Sequence, residues 1–306
     1  MVMSHKPTVL STSGRSEHAL RPGYHLAQWE IQQLIGEGGF SLVYQAIDKH
    51  THQKVAIKEY FPSSVSIRNS QQEIIVRDDI LLTTFNTGKA CFHQEAEILR
   101  NLSHPNVPHY IDYINKNKTV YIITTYFEGI NLKQWYQQTN KRLSQDWLIR
   151  FLLSLLEIVR DVHKEGYLHL DISWDNIQLQ NRYSAILLDF GSACSLLSRE
   201  EKNAIILKPG FSPPELYYPE GITKIGTWSD IYSIGALAYT LITGKIPPVS
   251  LVRTIDDNYQ PLASTMLEGY SADFLSLIDL ALSLKIEERP QTVEILIQQL
   301  HRVLKY

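Results

Sequence analysis

The sequence has only two cysteines, no strong excess of charge of either sign and no long apolar run. Cys91 and Cys194 are too few for a disulfide framework or a zinc site, which favours a reducing compartment. The 29 basic and 32 acidic residues give a net charge of −3, which argues against nucleic acid or an anionic membrane as the main partner. No run approaches the roughly 18 apolar residues that cross a bilayer, and no secretion signal is visible. We therefore expect a soluble, cytoplasmic chain.

The 306 residues are 44% hydrophobic, enough for one large domain or for two lobes that share a cleft. Residues 1–22 are polar without periodicity, which predicts a flexible N-terminal arm. Residues 23–126 carry short β-like runs, whereas residues 127–306 have mainly helical periodicity. These patterns predict an α+β fold with a strand-rich N-lobe and a helical C-lobe, and a site between the two.

Individual elements follow from the same patterns. The predicted strands are Trp29–Ile35, Leu42–Asp48, Lys54–Tyr60, Gln72–Val76, Val120–Thr125 and Ala185–Leu188. The predicted helices are Lys89–Leu102, a helix capped by Ser144, Thr227–Thr243, Ala272–Leu284 and Thr292–Lys305. The stretch from residue 61 to 89 is long, and its Ile74–Val76 core predicts an added strand or hairpin.

A glycine-rich segment between two predicted strands contains Gly36, Gly38 and Gly39. Glycines allow backbone amides to approach phosphates closely, but an ordinary β-turn explains the same segment. Lys58 ends an apolar strand, where it either reaches water or points at an anion. Glu95, on a predicted helix, is either its partner or a surface charge. Taken singly, none of these features decides between an ordinary structural role and a role in binding phosphate.

A second group of residues is more specific. Asp171 and Asn176 lie on one short predicted loop, and Asp189 ends the next predicted strand. Phosphoryl transfer needs a carboxylate to orient the attacking hydroxyl and oxygen ligands to hold Mg²⁺. Asp171 suits the first role, and Asn176 and Asp189 suit the second. Isolated Asx turns would explain each residue but not their order and spacing together.

In this order the motifs resemble those of the eukaryotic-type, or Hanks-family, protein kinases, over residues 24–304. The KEYFP segment from Lys58 and the KPGFSPPE segment from Lys208 resemble the bacterial serine/threonine branch. The resemblance implies a bilobal kinase fold, with an antiparallel N-lobe sheet plus one main helix and a helical C-lobe. It also implies that ATP is used with Mg²⁺, or with Mn²⁺ in its place.

The resemblance assigns roles to individual residues. Lys58 is expected to pair with the α/β-phosphates and with Glu95, and Asp171 to act as the catalytic-loop aspartate. Asn176 and Asp189 are expected to hold the metal. The residues implied in nucleotide binding are Gly36, Glu37, Gly38, Gly39, Phe40, Val43, Ala56, Lys58, Thr124, Thr125, Phe127 and Gln178. Within the C-lobe, Glu215 is expected to pair with Arg289, and Asp230 to bind backbone amides of the catalytic loop.

Three positions depart from the family pattern. Leu170 replaces the arginine that binds a phosphate on the activation loop, so we predict a loop that orders without phosphorylation. Ser173 stands where serine/threonine kinases carry a lysine that reaches the γ-phosphate, and Lys208 stands where they carry a loop threonine. We hypothesise that the two side chains have exchanged roles, since a cation can stabilise the transferring phosphoryl group from either loop. A solvated Lys208 in a slow enzyme is the alternative.

We therefore expect a non-specific serine/threonine protein kinase that transfers the γ-phosphoryl group of MgATP to protein substrates. Two other functions stay open: a pseudokinase scaffold, which Leu170 and Ser173 favour, and a small-molecule kinase of the aminoglycoside or choline type. The expected partners are protein substrates of unknown identity, and autophosphorylation would involve a transient dimer. No nucleic acid and no membrane span are expected.

Overall fold

The computed structural model describes residues 17–139, 142–196, 207–265 and 267–304. The chain divides into two compact units, residues 1–89 with 111–126 and residues 90–110 with 127–306. The segment 90–110, which lies within the predicted N-lobe, therefore packs with the second unit.

The first unit is built on an antiparallel sheet. Its strands are β1 (His25–Leu26), β2 (Trp29–Glu37), β3 (Ser41–Asp48), β4 (Lys54–Tyr60), β5 (Ser66–Arg68), β6 (Ile74–Val76), β7 (Tyr110–Lys116) and β8 (Thr119–Thr125). Six of them form one sheet in the order β1-β2-β3-β4-β8-β7, and β5 pairs with β6 as a separate hairpin. The hairpin confirms the expectation of an added element after residue 61.

A buried ion pair joins this hairpin to the sheet. Glu59 lies on the same face of β4 as the apolar Val55 and Ile57 and is fully buried. Its carboxylate accepts hydrogen bonds from Arg68 Nη2 at 2.6 Å and from the hydroxyl groups of Tyr44 and Tyr121, both at 2.7 Å. Three donors thus satisfy a charge that would be costly to bury alone. The alternation along β4 could have indicated this buried acid, but not its distant partner.

The part of the predicted arm that the structure describes lies against the first unit. Leu20 is buried, and its backbone N–H donates to Tyr44 Oη at 3.1 Å. Arg68 Nε donates to the carbonyl oxygen of His18 at 2.5 Å. The arm predicted over residues 1–22 is therefore packed from about residue 18, because Leu20 supplies an apolar anchor; its first sixteen residues lie outside the described part.

The helix predicted over Lys89–Leu102 begins earlier, as α1 (Leu82–Asn101). Gly88 lies inside this helix although glycine is a poor helix former. In the structure a side chain at this position would collide with the hydroxyl group of Tyr60, so glycine permits the close approach of helix and strand. Tertiary packing thus overrides local propensity.

The second unit is mainly helical. Its helices are α2 (Leu132–Gln138), α3 (Gln145–Lys164), α4 (Thr227–Thr243), α5 (Ser250–Arg253), α6 (Ala272–Ala281) and α7 (Val293–Leu304). Its short strands are β9 (Ile130–Asn131), β10 (Tyr167–Leu168), β11 (Ile177–Leu179), β12 (Ala185–Leu187) and β13 (Cys194–Ser195). Ser144 caps α3 as predicted, since its side chain accepts from Trp147 N at 3.2 Å. Among the described residues, no helix combines the length and the apolar composition needed to span a membrane.

Candidate active site

The catalytic loop follows β10 and is held by Asp230 of α4. The Asp230 carboxylate accepts from the backbone N–H groups of His169 at 2.9 Å and Leu170 at 2.8 Å, as the sequence predicted. Burial alone would raise the pKa of Asp230, but contacts with His163 and His169 hold it below its usual range. The loop is therefore fixed by a buried carboxylate that stays ionised.

Asp171 lies on this loop with one carboxylate oxygen held and the other left unbonded. Asn176 Nδ2 donates to Asp171 Oδ2 at 2.7 Å and to the Asp171 carbonyl oxygen at 2.9 Å. No hydrogen bond from the described residues reaches the buried Asp171 Oδ1. Burial raises the pKa of Asp171 to about 6, although the nearby Lys208 ammonium opposes the rise. The free oxygen can accept a bond from an incoming hydroxyl group.

The two predicted metal ligands lie on neighbouring strand ends. β11 pairs with β12, and Leu188 N–H donates to the Asn176 carbonyl oxygen at 2.8 Å, so Asp189 follows directly beside Asn176. Because the amide nitrogen of Asn176 is committed to Asp171, its amide oxygen points the other way. An amide oxygen and a carboxylate are the hard donors that Mg²⁺ prefers, so this pair fits the metal that the sequence implied.

Ser173 and Lys208 are brought together. Lys208 Nζ donates to the fully buried Ser173 Oγ at 2.6 Å, although the two residues are 35 positions apart. The contact agrees with the hypothesis that they exchanged places, whereas the role of Lys208 in catalysis stays a prediction.

Two residues that sequence reasoning passed over belong to the same cluster. Lys208 Nζ also lies 2.9 Å from Asp175 Oδ2, and Lys133 Nζ lies 3.0 Å from Asp175 Oδ1. Burial raises the pKa of Asp175, but the two lysines outweigh burial and bring it below the usual range. The Trp174-Asp175-Asn176 sequence placed Asp175 next to a ligand, but nothing in the sequence indicated its partners.

Leu170 lies in an apolar cluster in place of the expected arginine. It is 2% exposed and packs with Leu168, Leu216 and Ile225, and this apolar cluster also contacts Cys194 and Leu196 of the activation segment. Its backbone has φ of 60°, a left-handed conformation held by the Asp230 bond. The described start of the activation segment is therefore attached both by apolar burial and by the backbone pairing of β13 with β10.

The predicted pair of Glu215 and Arg289 is confirmed. Arg289 donates from Nη1 to Glu215 Oε1 at 2.8 Å and from Nη2 to Oε2 at 3.0 Å, and both side chains are buried. Ser229 Oγ adds a third bond to Glu215 Oε1 at 2.7 Å. This bidentate pair fixes the end of the activation segment.

Most of the residues predicted to bind the nucleotide lie on the sheet of the first unit. The Gly38 N–H donates to the Ser41 carbonyl oxygen at 2.9 Å, which closes a tight turn between β2 and β3. Strand register puts Val43 opposite Lys58, and Ala56 opposite Thr124. Gly36 and Glu37 end β2, and Gly38, Gly39 and Phe40 form the turn itself. Thr125 ends β8.

The remaining predicted residues belong to the second unit. Phe127 follows the sheet, and Glu95 is 3% exposed on α1. Gln178 lies on β11 beside Gly129, where an added Cβ would come within 2.9 Å of Gln178 Cγ. A glycine is thus required where the chain passes Gln178.

Comparisons with known proteins identify the family of this chain. A family model described as the protein kinase domain matches residues 29–300. A solved structure described as the apo form of PpkA-294 is 42% identical and superposes with a TM-score of 0.83, covering 92% of this chain and 99% of that one. The serine/threonine-protein kinase PLK4 is 26% identical in Drosophila ananassae and 27% identical in Nematostella vectensis, over 74% of this chain in each case. The matches cover only 27% and 21% of those relatives' own length.

Proposed function

The chain belongs to the protein kinase family, and from this premise we propose that it transfers the γ-phosphoryl group of MgATP to serine or threonine hydroxyl groups of proteins. The observation that carries the proposal is the arrangement at Asp171, whose carboxylate is oriented by Asn176 and keeps one buried oxygen without a bond. We also infer a cytoplasmic enzyme, since a content of two cysteines favours a reducing compartment.

The chemistry follows from that carboxylate. The acceptor hydroxyl oxygen forms a bond to the γ-phosphorus, the bond from that phosphorus to the β–γ bridging oxygen breaks, and ADP leaves. Asp171 Oδ1 orients the hydroxyl group and receives its proton. With its pKa raised to about 6, Asp171 is mostly ionised at neutral pH yet more basic than an exposed aspartate. Asn176 and Asp189 would hold Mg²⁺, which when bound neutralises charge on the phosphates.

The nucleotide-binding roles in this proposal come from the family pattern. The turn at Gly36–Phe40 would cover the phosphates through backbone amides, and Lys58, paired with Glu95, would bind the α/β-phosphates. Val43, Ala56, Thr124 and the segment 125–127 would surround the base, with Gln178 beneath it. The register of Val43 with Lys58 and of Ala56 with Thr124 supports a shared surface for base and phosphates.

Lys208 would supply the cation that the catalytic loop lacks. Its ammonium is bonded to Ser173, the residue that occupies the usual lysine position, so its charge lies within a side chain's reach of that position. A fixed positive charge at the transferring phosphoryl group lowers the barrier because negative charge develops there. Ser173 would then hold the ammonium, as the loop threonine does in relatives with the usual arrangement.

The apolar cluster around Leu170 supports activity without loop phosphorylation. An arginine at this position would need a phosphate as its counter-charge, whereas Leu170 is satisfied by Leu216, Ile225 and the start of the activation segment. Packing at the described start of the segment therefore does not depend on adding a charge.

The function can be tested by mass spectrometry of phosphosites. Wild type and Asp171→Asn are incubated with MgATP and dephosphorylated casein, and phosphosites are mapped on both proteins. Sites on serine and threonine that require Asp171 would support the proposal. Equal, empty maps would favour a scaffold without catalysis, sites on tyrosine would overturn the hydroxyl preference, and transfer to an aminoglycoside or choline but not to casein would indicate a small-molecule kinase.

A further inference from the structure

Lys208 is held both at its backbone and at its ammonium group. Its backbone N–H donates to Ser212 Oγ at 2.8 Å, and its carbonyl oxygen accepts from Ser212 N at 2.9 Å. At the other end, Nζ bonds to Ser173 Oγ at 2.6 Å and to Asp175 Oδ2 at 2.9 Å. A flexible lysine is thereby held in one position. This lowers its side-chain entropy, whereas a surface lysine without such bonds keeps that entropy.

Asp175 is itself held by α2 through two contacts. Lys133 Nζ lies 3.0 Å from Asp175 Oδ1, so each carboxylate oxygen has its own lysine. Asn131, which caps α2, donates from Nδ2 to the Asp175 carbonyl oxygen at 2.7 Å. Both carboxylate oxygens and the backbone of Asp175 are thus engaged, which orients the carboxylate towards Lys208.

The charges of Lys133, Asp175 and Lys208 matter as much as the geometry of their contacts. Asp175 shares one negative charge between two ammonium groups, so Lys208 is located without being fully neutralised. An exposed ion pair contributes little to stability, which argues that a two-lysine bridge of this kind has another use. Lys208 is the member that also contacts the catalytic loop at Ser173.

We propose that Asp175, oriented by Lys133, is a positioning residue that holds the Lys208 ammonium where the phosphoryl group is transferred. The proposal rests on the function proposed above and adds two residues to its machinery. Neither Asp175 nor Lys133 touches the nucleotide in this proposal, because each acts through Lys208. A displacement of Lys208 would lower the rate of the chemical step and leave nucleotide binding intact.

The test is a double-substitution cycle assayed with MgATP and dephosphorylated casein. Asp175→Asn is expected to lower kcat about tenfold with little change in KM for ATP, since a misplaced catalytic group costs rate. Asp175→Asn added to Lys208→Met should cause no further loss, because Asp175 acts only through Lys208. Asp175→Glu, which keeps the charge, should retain more activity than Asp175→Asn.

Lys285→Met is the matched control, since Lys285 also has a carboxylate oxygen, Glu288 Oε1, 2.9 Å from its Nζ and lies away from the catalytic loop. Its kcat should equal that of wild type. If Asp175→Asn fails to fold in thermal melting, Lys133→Met takes its place, with a loss of about threefold expected only when Lys208 is present.

Three results would overturn the inference: a wild-type or higher kcat for Asp175→Asn, a change confined to KM for casein, or additive losses in the cycle. Failure of the proposed function gives a different result, because wild type itself would then transfer no phosphate to casein. A wild-type rate for Lys208→Met would remove the role of Lys208 and this inference with it.

Discussion

The side chains of the activation segment make different kinds of contact at its two described ends, although the entry end is also held by the backbone pairing of β13 with β10. We call residues 189–196 the entry end and residues 207–215 the exit end; residues 197–206 lie outside the described part of the chain. At the entry end, Cys194 and Leu196 pack on the apolar cluster around Leu170. At the exit end, Lys208 and Glu215 make directed bonds to charged and hydroxyl groups.

The difference follows from what each end has to do. Apolar burial is not directional, so the side chains that pack at the entry end need only a suitable volume. Hydrogen bonds and ion pairs fix atoms to within a few tenths of an ångström, which a group that acts on a phosphate requires. We therefore expect substitutions in the apolar cluster to affect stability alone, and substitutions at Lys208 to affect rate alone.

The largest loss of stability is expected at the buried pair of the exit end. Arg289→Met leaves the Glu215 carboxylate buried with only Ser229 as a donor, and should lower the free energy of unfolding by about 3–5 kcal/mol. Urea unfolding followed by tryptophan fluorescence measures this. Arg150→Met, which breaks an exposed pair with Asp146, is the control and should leave the free energy of unfolding almost unchanged. Equal effects would show that burial of the pair is unimportant.

At the entry end, Leu170→Ala should lower the free energy of unfolding by about 3 kcal/mol, because the substitution opens a cavity in the apolar cluster. The same urea experiment applies, with Leu280→Ala at a 43% exposed position as control. Under conditions where the variant is folded, its kcat should stay near that of wild type. A fall in kcat without a change in stability would contradict the division between the two ends.

Lys208→Met tests the exit end as part of the chemistry. It should lower kcat by about 10²-fold, equivalent to about 2.7 kcal/mol in the barrier, with KM for ATP little changed. The free energy of unfolding should fall by less than about 1 kcal/mol, since Lys208 is partly exposed. Steady-state kinetics with casein measure the first effect. A loss of stability large enough to explain the loss of rate would contradict the proposed difference between the entry end and the exit end.

Sequence patterns predict the local elements well where one cause dominates. The strand Lys54–Tyr60 and the helix Thr227–Thr243 have the predicted bounds, because alternation and capping fix them locally. The predicted start of α1 was wrong, because the close approach of Gly88 to Tyr60 is a tertiary contact. The Glu59–Arg68 pair joins β4 to the separate hairpin that follows it, nine positions along the chain, and no strand or helix pattern reveals this pairing.

In the candidate site, too, local spacing could be predicted from the sequence and tertiary contacts could not. Asp171, Asn176 and Asp189 could be identified because their spacing is set by one loop and one strand pair. The pairing of Ser173 with Lys208 could be anticipated only by comparing two departures from a shared pattern. Lys133 and Asp175 could not, since their relation depends on where α2 lies against the catalytic loop.

The smallest effect is expected from removing the hydroxyl groups of the activation segment. Ser195→Ala and Ser198→Ala, alone or combined, should change kcat by no more than roughly twofold, because Leu170 offers no positive charge to a phosphate on the segment. Steady-state kinetics of phosphatase-treated wild type and of the variants make the comparison, with Asp171→Asn as the inactive reference. A loss beyond about tenfold would mean that a phosphate orders the segment through some other cation, and apolar burial at the entry end would then be insufficient.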